Sequence, residues 1–379
     1  MKKNLIIFAM HPIPYLSPIF REIFKLKKNS IVFFLDKLGL EKHYNPYFKV
    51  FLTGNNYMIK GYKNYFIKNF SKSVITGFFS RINFDVYNII KKKENTHILI
   101  NGYQTFSSWL ILFFSIIYKK KIIFKGETIR IKRNFFKNLL IRIFFYKINF
   151  FLYSCSGNLN FYKSISVNQK KLINVPCCID YEFFLRYKKK FISKREKIRR
   201  KLGFKKNTII ILFVSKFIDR KNPNELIQAI KDINNKNIEL LFVGGGPKEN
   251  DMRDECRNNK IRSKFISFLS QEKLGEVYLI SDLYVNTSYY DASPKTLNEA
   301  LCFDIPIIAP KKNIGQVDDI VINGKNGFKY EPGNLRQLTY VINQSLGLKK
   351  KIIHKTNSTL IAKTHPRIGA LNLVNKINL

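Results

Sequence analysis

Ten short apolar runs recur along the chain, and longer amphipathic stretches separate them. They are Leu5–Met10, Ile31–Leu35, Ile98–Ile100, Ile122–Phe124 and Phe150–Tyr153, then Thr208–Val214, Ile238–Val243, Phe265–Leu269, Leu283–Val285 and Ile305–Ala309. Runs this short, spaced by helical patterns, predict βαβ units and parallel sheets, because a parallel strand is buried on both faces and reads as continuously apolar. Five runs lie in each half, which predicts an α/β protein of two doubly wound, Rossmann-like domains. Between the two sets, Arg186–Lys201 is too charged for a core and reads as a connection, part of it a basic helix. The predicted organisation is a first domain over residues 1–185, a connection over 186–206, a second domain over 207–348, and a helical tail over 349–379 that packs back on the first domain. Two such domains facing each other would hold ligands in the cleft between them, at the loops that follow the carboxyl ends of their strands.

A chain of 379 residues suits two domains, and 45% hydrophobic residues with 15% aromatics fill more than one core, which excludes disorder as the main state. Its 67 Lys and Arg against 26 Asp and Glu give a net charge of +41. Three readings compete for that charge: a nucleic-acid partner, an anionic membrane surface, or a genome bias toward Lys, Asn and Ile that reaches every exposed face. A field this positive draws the chain to phosphate-rich surfaces in any case. No RNP, KH, zinc-finger or helix-turn-helix pattern supports a specific nucleic-acid partner. The five cysteines, Cys155, Cys177, Cys178, Cys256 and Cys302, form no CxxC pair and have no His at metal spacing. Their odd number argues against a disulfide framework, so they read as buried thiols of a reducing cytosol. Leu5–Met10 is too short for a signal-peptide core and reads as a first strand, while the longest apolar run, Trp109–Tyr118, is half of a membrane span.

The loops after the second set of strands carry the chemistry. Ser215 to Pro223 brings Lys216, Arg220 and Lys221 between a buried strand and a helix that starts near Pro223. Cations and a helix start together suit a diphosphate, although a solvated loop in a Lys-rich chain reads the same way. Gly244-Gly245-Gly246-Pro247 lets backbone approach a ligand without Cβ obstruction, or is an ordinary turn. After Leu283–Val285, Ser293 reads as an N-cap, Pro294 as the first helical residue, and the amides of Lys295, Thr296 and Leu297 as an anion site to which Lys295 adds charge. Asp291 and Glu299 bracket that site, and two carboxylates around a phosphate site suit a ligand with hydroxyls on both sides of its diphosphate, a sugar and a ribose. A capped helix with a surface Glu is the plain alternative.

Taken in order, these segments resemble the group 1 signature of glycosyltransferase family four. The family carries a Gly-Arg…Lys-Gly loop, a Val-Gly-x-Gly-Pro turn, and a Glu, seven residues, Glu motif followed by Ala and a Gly-x-Pro strand entry. This chain reads Ser215-Lys216…Lys221-Asn222, Val243-Gly244-Gly245-Gly246-Pro247, Asp291…Glu299-Ala300, Phe303-Asp304-Ile305-Pro306 and Asn323-Gly324-Lys325-Asn326-Gly327-Phe328. The resemblance implies that Lys216 stands for the diphosphate-binding Arg, Lys221 for the diphosphate-binding Lys, Asp291 for the Glu on the donor sugar, and Glu299 for the Glu on the ribose. Asp291 is one methylene shorter than Glu, Lys216 lacks the bidentate fork of Arg, and Ser215 and Asn222 replace both glycines. In the first half, Pro14–Arg21, Lys60-Gly61-Tyr62, Lys125-Gly126-Glu127 and Ser156-Gly157-Asn158…Phe161-Tyr162 are similar to one branch of these enzymes. Many members place a His near the reacting sugar; only His11 sits at a comparable strand end here, and Glu127 is the acceptor-side candidate for a polar catalytic role, or simply an ion-paired Glu.

The resemblance implies the GT-B architecture and a retaining transferase that moves a sugar from a nucleotide diphosphate sugar to an acceptor hydroxyl in envelope polysaccharide or glycolipid synthesis. Lys216, Lys221 and the helix start at Lys295–Leu297 would then stabilise the leaving diphosphate, with no metal expected, since no Asp-x-Asp motif sits in a strand-end loop and Asp318-Asp319 falls in a predicted helix. A sugar-nucleotide 2-epimerase is the second class, poorly supplied with acid/base groups here, and a nucleic-acid-binding protein the third. The expected partners are the donor, a glycan or lipid-linked acceptor and an anionic membrane. Arg130–Lys147 mixes basic and large apolar residues on a predicted helix, which reads either as a membrane-surface helix or as a core helix with snorkelling cations. The expected location is cytoplasmic, with peripheral attachment to the cytoplasmic membrane.

Overall fold

The structure, a computed structural model, describes residues 3–45, 50–52, 56–72, 77–130, 134–233 and 235–378. It divides into one unit of Met1–His43, Leu52–Ile179 and Thr364–Leu379 and another of Tyr44–Phe51 and Asp180–Lys363.

The strands of the first half are β1 (Asn4–Ala9), β2 (Ser30–Phe34), a separate short pair β3 (His43–Asn45) and β4 (Val50–Leu52), then β5 (Asn64–Phe66), β6 (Asn95–Asn101), β7 (Lys121–Lys125), β8 (Phe150–Tyr153) and β9 (Leu172–Asn174). Seven of them form a parallel sheet in the order β5-β2-β1-β6-β7-β8-β9. Leu5 to Ala9 of β1 are buried on both faces, which the continuous apolar run requires. The connecting helices are α1 (Ser17–Leu26), α2 (Val86–Ile90), α3 (Phe106–Ile117), α4 (Phe135–Phe145) and α5 (Ser156–Ser164). Thr105 caps α3 and Asn134 caps α4, each through a side-chain oxygen that accepts an amide of the first turn. Trp109 of α3 meets Phe144 of α4 edge-on at 5.0 Å, above a core that includes Ile98, Phe124, Phe151 and Tyr162.

The second unit holds α6 (Tyr181–Phe191), α7 (Arg195–Lys201), β10 (Ile209–Lys216), α8 (Pro223–Lys231), β11 (Ile238–Gly245), α9 (Glu249–Asn258), β12 (Ser263–Ile266), α10 (Gln271–Ile280), β13 (Leu283–Val285), α11 (Lys295–Cys302), β14 (Ile307–Pro310), α12 (Val317–Ile320), β15 (Gly327–Tyr330), α13 (Leu335–Leu346) and α14 (Lys350–Thr364). Its six parallel strands run β12-β11-β10-β13-β14-β15. The strand order therefore reverses between β10 and β13, and the loops leaving those two neighbours open into one crevice.

The basic stretch expected to connect the domains, residues 186–206, falls within the second unit, whose long segment runs from Asp180 to Lys363 and not from residue 207. Two of its arginines find partners there. Arg195 donates to the carbonyls of Leu279 and Ile280 at the end of α10 and, at 2.6 Å, to Asp282. Arg199, only 5% exposed, donates to Ile280 and pairs with Asp282 at 3.3 Å. Guanidinium groups at a helix C-terminus meet its open carbonyls and the negative end of its dipole. The tail also divides. α14 joins the second unit through buried Asn357, which accepts from Asn326 at 2.9 Å and donates to Leu301 at 3.3 Å. The last helix, α15 (Pro366–Lys376), packs on α1 and β9 of the first unit.

Candidate active site

Lys216 ends β10, and the chain then turns through one 3-10 turn, Asp219–Lys221, to Asn222 in the left-handed region (φ 47°) and Pro223 at the start of α8. Two glycines of the next strand end are needed by this loop itself. Gly244 (φ 143°) and Gly246 (φ 154°) lie where a Cβ would collide with the carbonyl oxygens of Ser215 and Phe217. Backbone thus approaches backbone here, and the loop's own packing already requires both glycines.

The loop after β13 is laced to the loop after β10. The Thr287 hydroxyl donates to the carbonyls of Lys221 (3.2 Å) and Asn222 (2.7 Å), the Tyr289 amide donates to the Arg220 carbonyl (2.9 Å), and the Arg220 guanidinium donates to the Tyr290 carbonyl (3.1 Å). Lys221 is ion-paired with Asp291, both side chains mostly buried. Buried Glu225 anchors the loop from below: it accepts from Asn222 (2.7 Å), from the Gly333 amide (2.7 Å) and from the Tyr330 hydroxyl (3.1 Å). Burial pushes its carboxyl above the usual range.

The structure therefore brings Lys216, Arg220 and Lys221 together with Asp291. Lys216 is half-buried, and burial first, then the positive Arg220 and Lys221, push its ammonium below the usual lysine range. Mutual disfavour among cations marks a place where an anion is stabilised. Thr287 and Glu225 were absent from the predicted site, and Arg220 was counted among the loop's cations without a role of its own. Arg220 lay in plain view in the cationic loop, whereas nothing in the sequence distinguishes Glu225 from an exposed first-turn Glu.

α11 starts one residue later than expected. Pro294 is the N-cap, extended at ψ 96°, and no side chain caps the helix, so Ser293 is not the cap. Ser293 instead donates its amide to Asp291 at 3.3 Å and accepts from the Lys295 ammonium at 2.5 Å. The Leu297 amide donates to the Pro294 carbonyl at 3.1 Å and so is not an open donor for a ligand. The Thr296 hydroxyl accepts from Tyr284 at 2.6 Å, while Gln316 donates to the Pro294 carbonyl at 2.5 Å and steadies the turn. Glu299 is no surface residue: it is 4% exposed and accepts from the Tyr278 hydroxyl at 2.7 Å. Burial pushes its carboxyl up to about 7, against a smaller opposing effect of that hydrogen bond. Glu127 lies in the first unit, after β7, paired with Lys125 at 3.1 Å. Among the described residues no group of three or more His, Cys, Asp or Glu is placed to hold a metal ion.

A crevice at a strand-order reversal, lined by cations and a helix start, suits a phosphate-bearing ligand. Residues 194–356 match the family model for glycosyl transferases group 1. Over 159 residues the chain is 26% identical to the alpha-monoglucosyldiacylglycerol synthase of Acholeplasma laidlawii, an alignment spanning 40% of this chain and 39% of that protein. The chain thus aligns with about two-fifths of the length of such relatives. Whole-chain similarity is structural. The crystal structure of a glycosyltransferase from Rickettsia africae ESF-5 superposes with a TM-score of 0.75 at 17% identity, covering 100% of this chain and 99% of that one. Anabaena Alr3699/HepE in complex with UDP and glucose superposes with a TM-score of 0.74 at 13% identity, covering 99% of both chains. The fold is accordingly GT-B, built of two Rossmann-like units, and residues 194–356 of the second unit are similar to the group 1 glycosyltransferases.

Proposed function

We propose that the protein is a retaining glycosyltransferase that moves a sugar from a nucleotide diphosphate sugar to an acceptor hydroxyl of a glycan or lipid-linked glycan, in the cytoplasm, during envelope polysaccharide or glycolipid synthesis. The observation that carries this reading is the convergence of Lys216, Arg220 and Lys221 on the switch-point crevice beside the start of α11. Lys216 and Lys221 bind the diphosphate, helped by the dipole of α11 and by Lys295. As the sugar–phosphate bond breaks, negative charge grows on the leaving diphosphate, and these fixed cations stabilise it without rearrangement. The chain's own cations thereby do the work of a metal. Asp291 is held beside Lys221 and orients the donor sugar through its hydroxyls, while Glu299 accepts a ribose hydroxyl from within α11. Donor binding loosens the Lys221–Asp291 pair, because the diphosphate offers the ammonium a more highly charged partner. Glu127 supplies a polar group on the acceptor side.

A panel of UDP-, GDP- and other nucleotide sugars tests the reading: one of them should raise the melting temperature, and with an acceptor it should yield free nucleoside diphosphate and glycosylated product. An altered sugar still attached to its nucleotide would instead indicate an isomerase. Transfer should persist in excess EDTA.

A further inference from the structure

α4 has two apolar faces on opposite sides, and the fold buries only one. Ile141, Phe144 and Phe145 pack into the core of the first unit, followed beyond the helix by Ile148. At about 100° per residue, Phe135, Phe136, Leu139, Leu140, Ile143 and the following Tyr146 fall on the far side of the helix. Those six are exposed, Phe135 and Phe136 at 74% each and Tyr146 at 75%. A helix apolar all round belongs in a core or in lipid, and this one is only half in a core. Its neighbour α3 likewise leaves Phe113, Ile116 and Ile117 exposed. Apolar surface concentrated in this way marks a place of attachment.

Charge selects what attaches. Between Glu127 and Asp180 there is no Asp or Glu and there are nine Lys and Arg, so the segment that carries the stripe has no acid to answer its cations. Arg142 borders the stripe and is exposed, Lys137 is exposed on the same helix, and Lys147 follows it. A second copy of this chain docked on the stripe about a two-fold axis would set those cations against their own duplicates. Arg142 and Lys171 also line a cavity of about 250 Å³ beside α4, together with Tyr146, Phe151 and Ile165. Two cations against apolar walls fit a phosphate that carries acyl chains. No helix among the described residues is long and apolar enough to cross a membrane.

We propose that α4 docks the protein on an anionic phospholipid membrane, its exposed Phe and Leu side chains entering the headgroup boundary and Arg142 and Lys171 seating a lipid phosphate. This inference rests on the first unit alone and stands independently of the transfer reaction. Sedimentation of the full chain with vesicles tests it. Vesicles of phosphatidylcholine with phosphatidylglycerol should pellet the protein, with binding that weakens as salt rises. The triple variant Phe135→Ser, Phe136→Ser, Leu140→Ser removes exposed side chains only, so it should keep its melting temperature and lose about a hundredfold in partitioning. Arg142→Gln with Lys171→Gln should cut binding to anionic vesicles about tenfold and narrow their advantage over neutral ones. Equal binding to pure phosphatidylcholine, unchanged binding by the triple variant, or no pelleting at low salt would overturn the proposal. So would a dimer that the triple variant dissolves while vesicles bind nothing.

Discussion

Lys221 and Asp291 are each other's partner, which ties the two proposed roles together at the level of single residues. Removing the ammonium in Lys221→Ala should lower transfer about a hundredfold, the equivalent of roughly 3 kcal/mol of transition-state stabilisation. Steady-state rates and a calorimetric titration with the donor check this, and wild-type donor affinity in a soluble variant would refute the assignment. Lys216→Arg tests the neighbouring position in the opposite direction. A guanidinium restores a bidentate fork to phosphate and tolerates a cationic neighbourhood better than the depressed ammonium does, so donor binding should hold or tighten. Glu299 gives a prediction about stability. Its folded-state carboxyl, pushed up to about 7, prefers the protonated form, so the native state binds the extra proton between about pH 4.5 and 7 and stability falls as pH rises across that window. Glu299→Gln keeps an acceptor for Tyr278 without the buried charge. The variant should therefore be more stable than wild type at pH 8, by up to about 3 kcal/mol, and indistinguishable from it near pH 4. Its affinity for a bare nucleoside diphosphate should fall, while Asp291→Asn should hurt turnover more than nucleotide binding. Urea titrations at the two pH values and calorimetry separate these effects.

At the scale of elements, the strands that the sequence leaves hidden are informative. β5, β9 and β15 lie at sheet edges. An edge strand has one partner and needs no continuous apolar run, so Asn64–Phe66, Leu172–Asn174 and Gly327–Tyr330 carry no signal beyond their turns. The same holds, with the opposite sign, for α6 and α7. Their charge density reads as solvated linker, yet Arg195 and Arg199 are spent on the C-terminus of α10 and on Asp282, whose carboxylate also accepts the Ile210 amide at 2.8 Å and thereby grips β10. Arg199→Ala should consequently destabilise the second unit by about 3 kcal/mol, since it strips one partner from a largely buried pair and takes the guanidinium donor from the Thr208 carbonyl. A lowered urea midpoint with an unchanged slope is the expected signature.

Over the whole molecule, the +41 charge produces a field rather than a site. The chain should bind random RNA at low salt and release it near physiological ionic strength, as counterion release dictates for contacts without base readout; retention above that salt, measured by filter binding, would point to a specific nucleic-acid partner. Periodicity alone determined the α/β class and the two sheets, because a strand buried on both faces must be continuously apolar whatever surrounds it. The order of the loop motifs likewise placed Lys216, Lys221 and Asp291 at strand ends in advance, since strand ends are local to the sequence. What only the tertiary structure decided is how those loops close on each other. The lacing through Thr287, Arg220 and Glu225 joins segments far apart in the chain, and no local pattern records it. The same is true of burial: whether a carboxylate such as Glu299 faces water or a Tyr278 hydroxyl, and whether the second apolar face of α4 is covered, depends on what the remaining chain brings alongside.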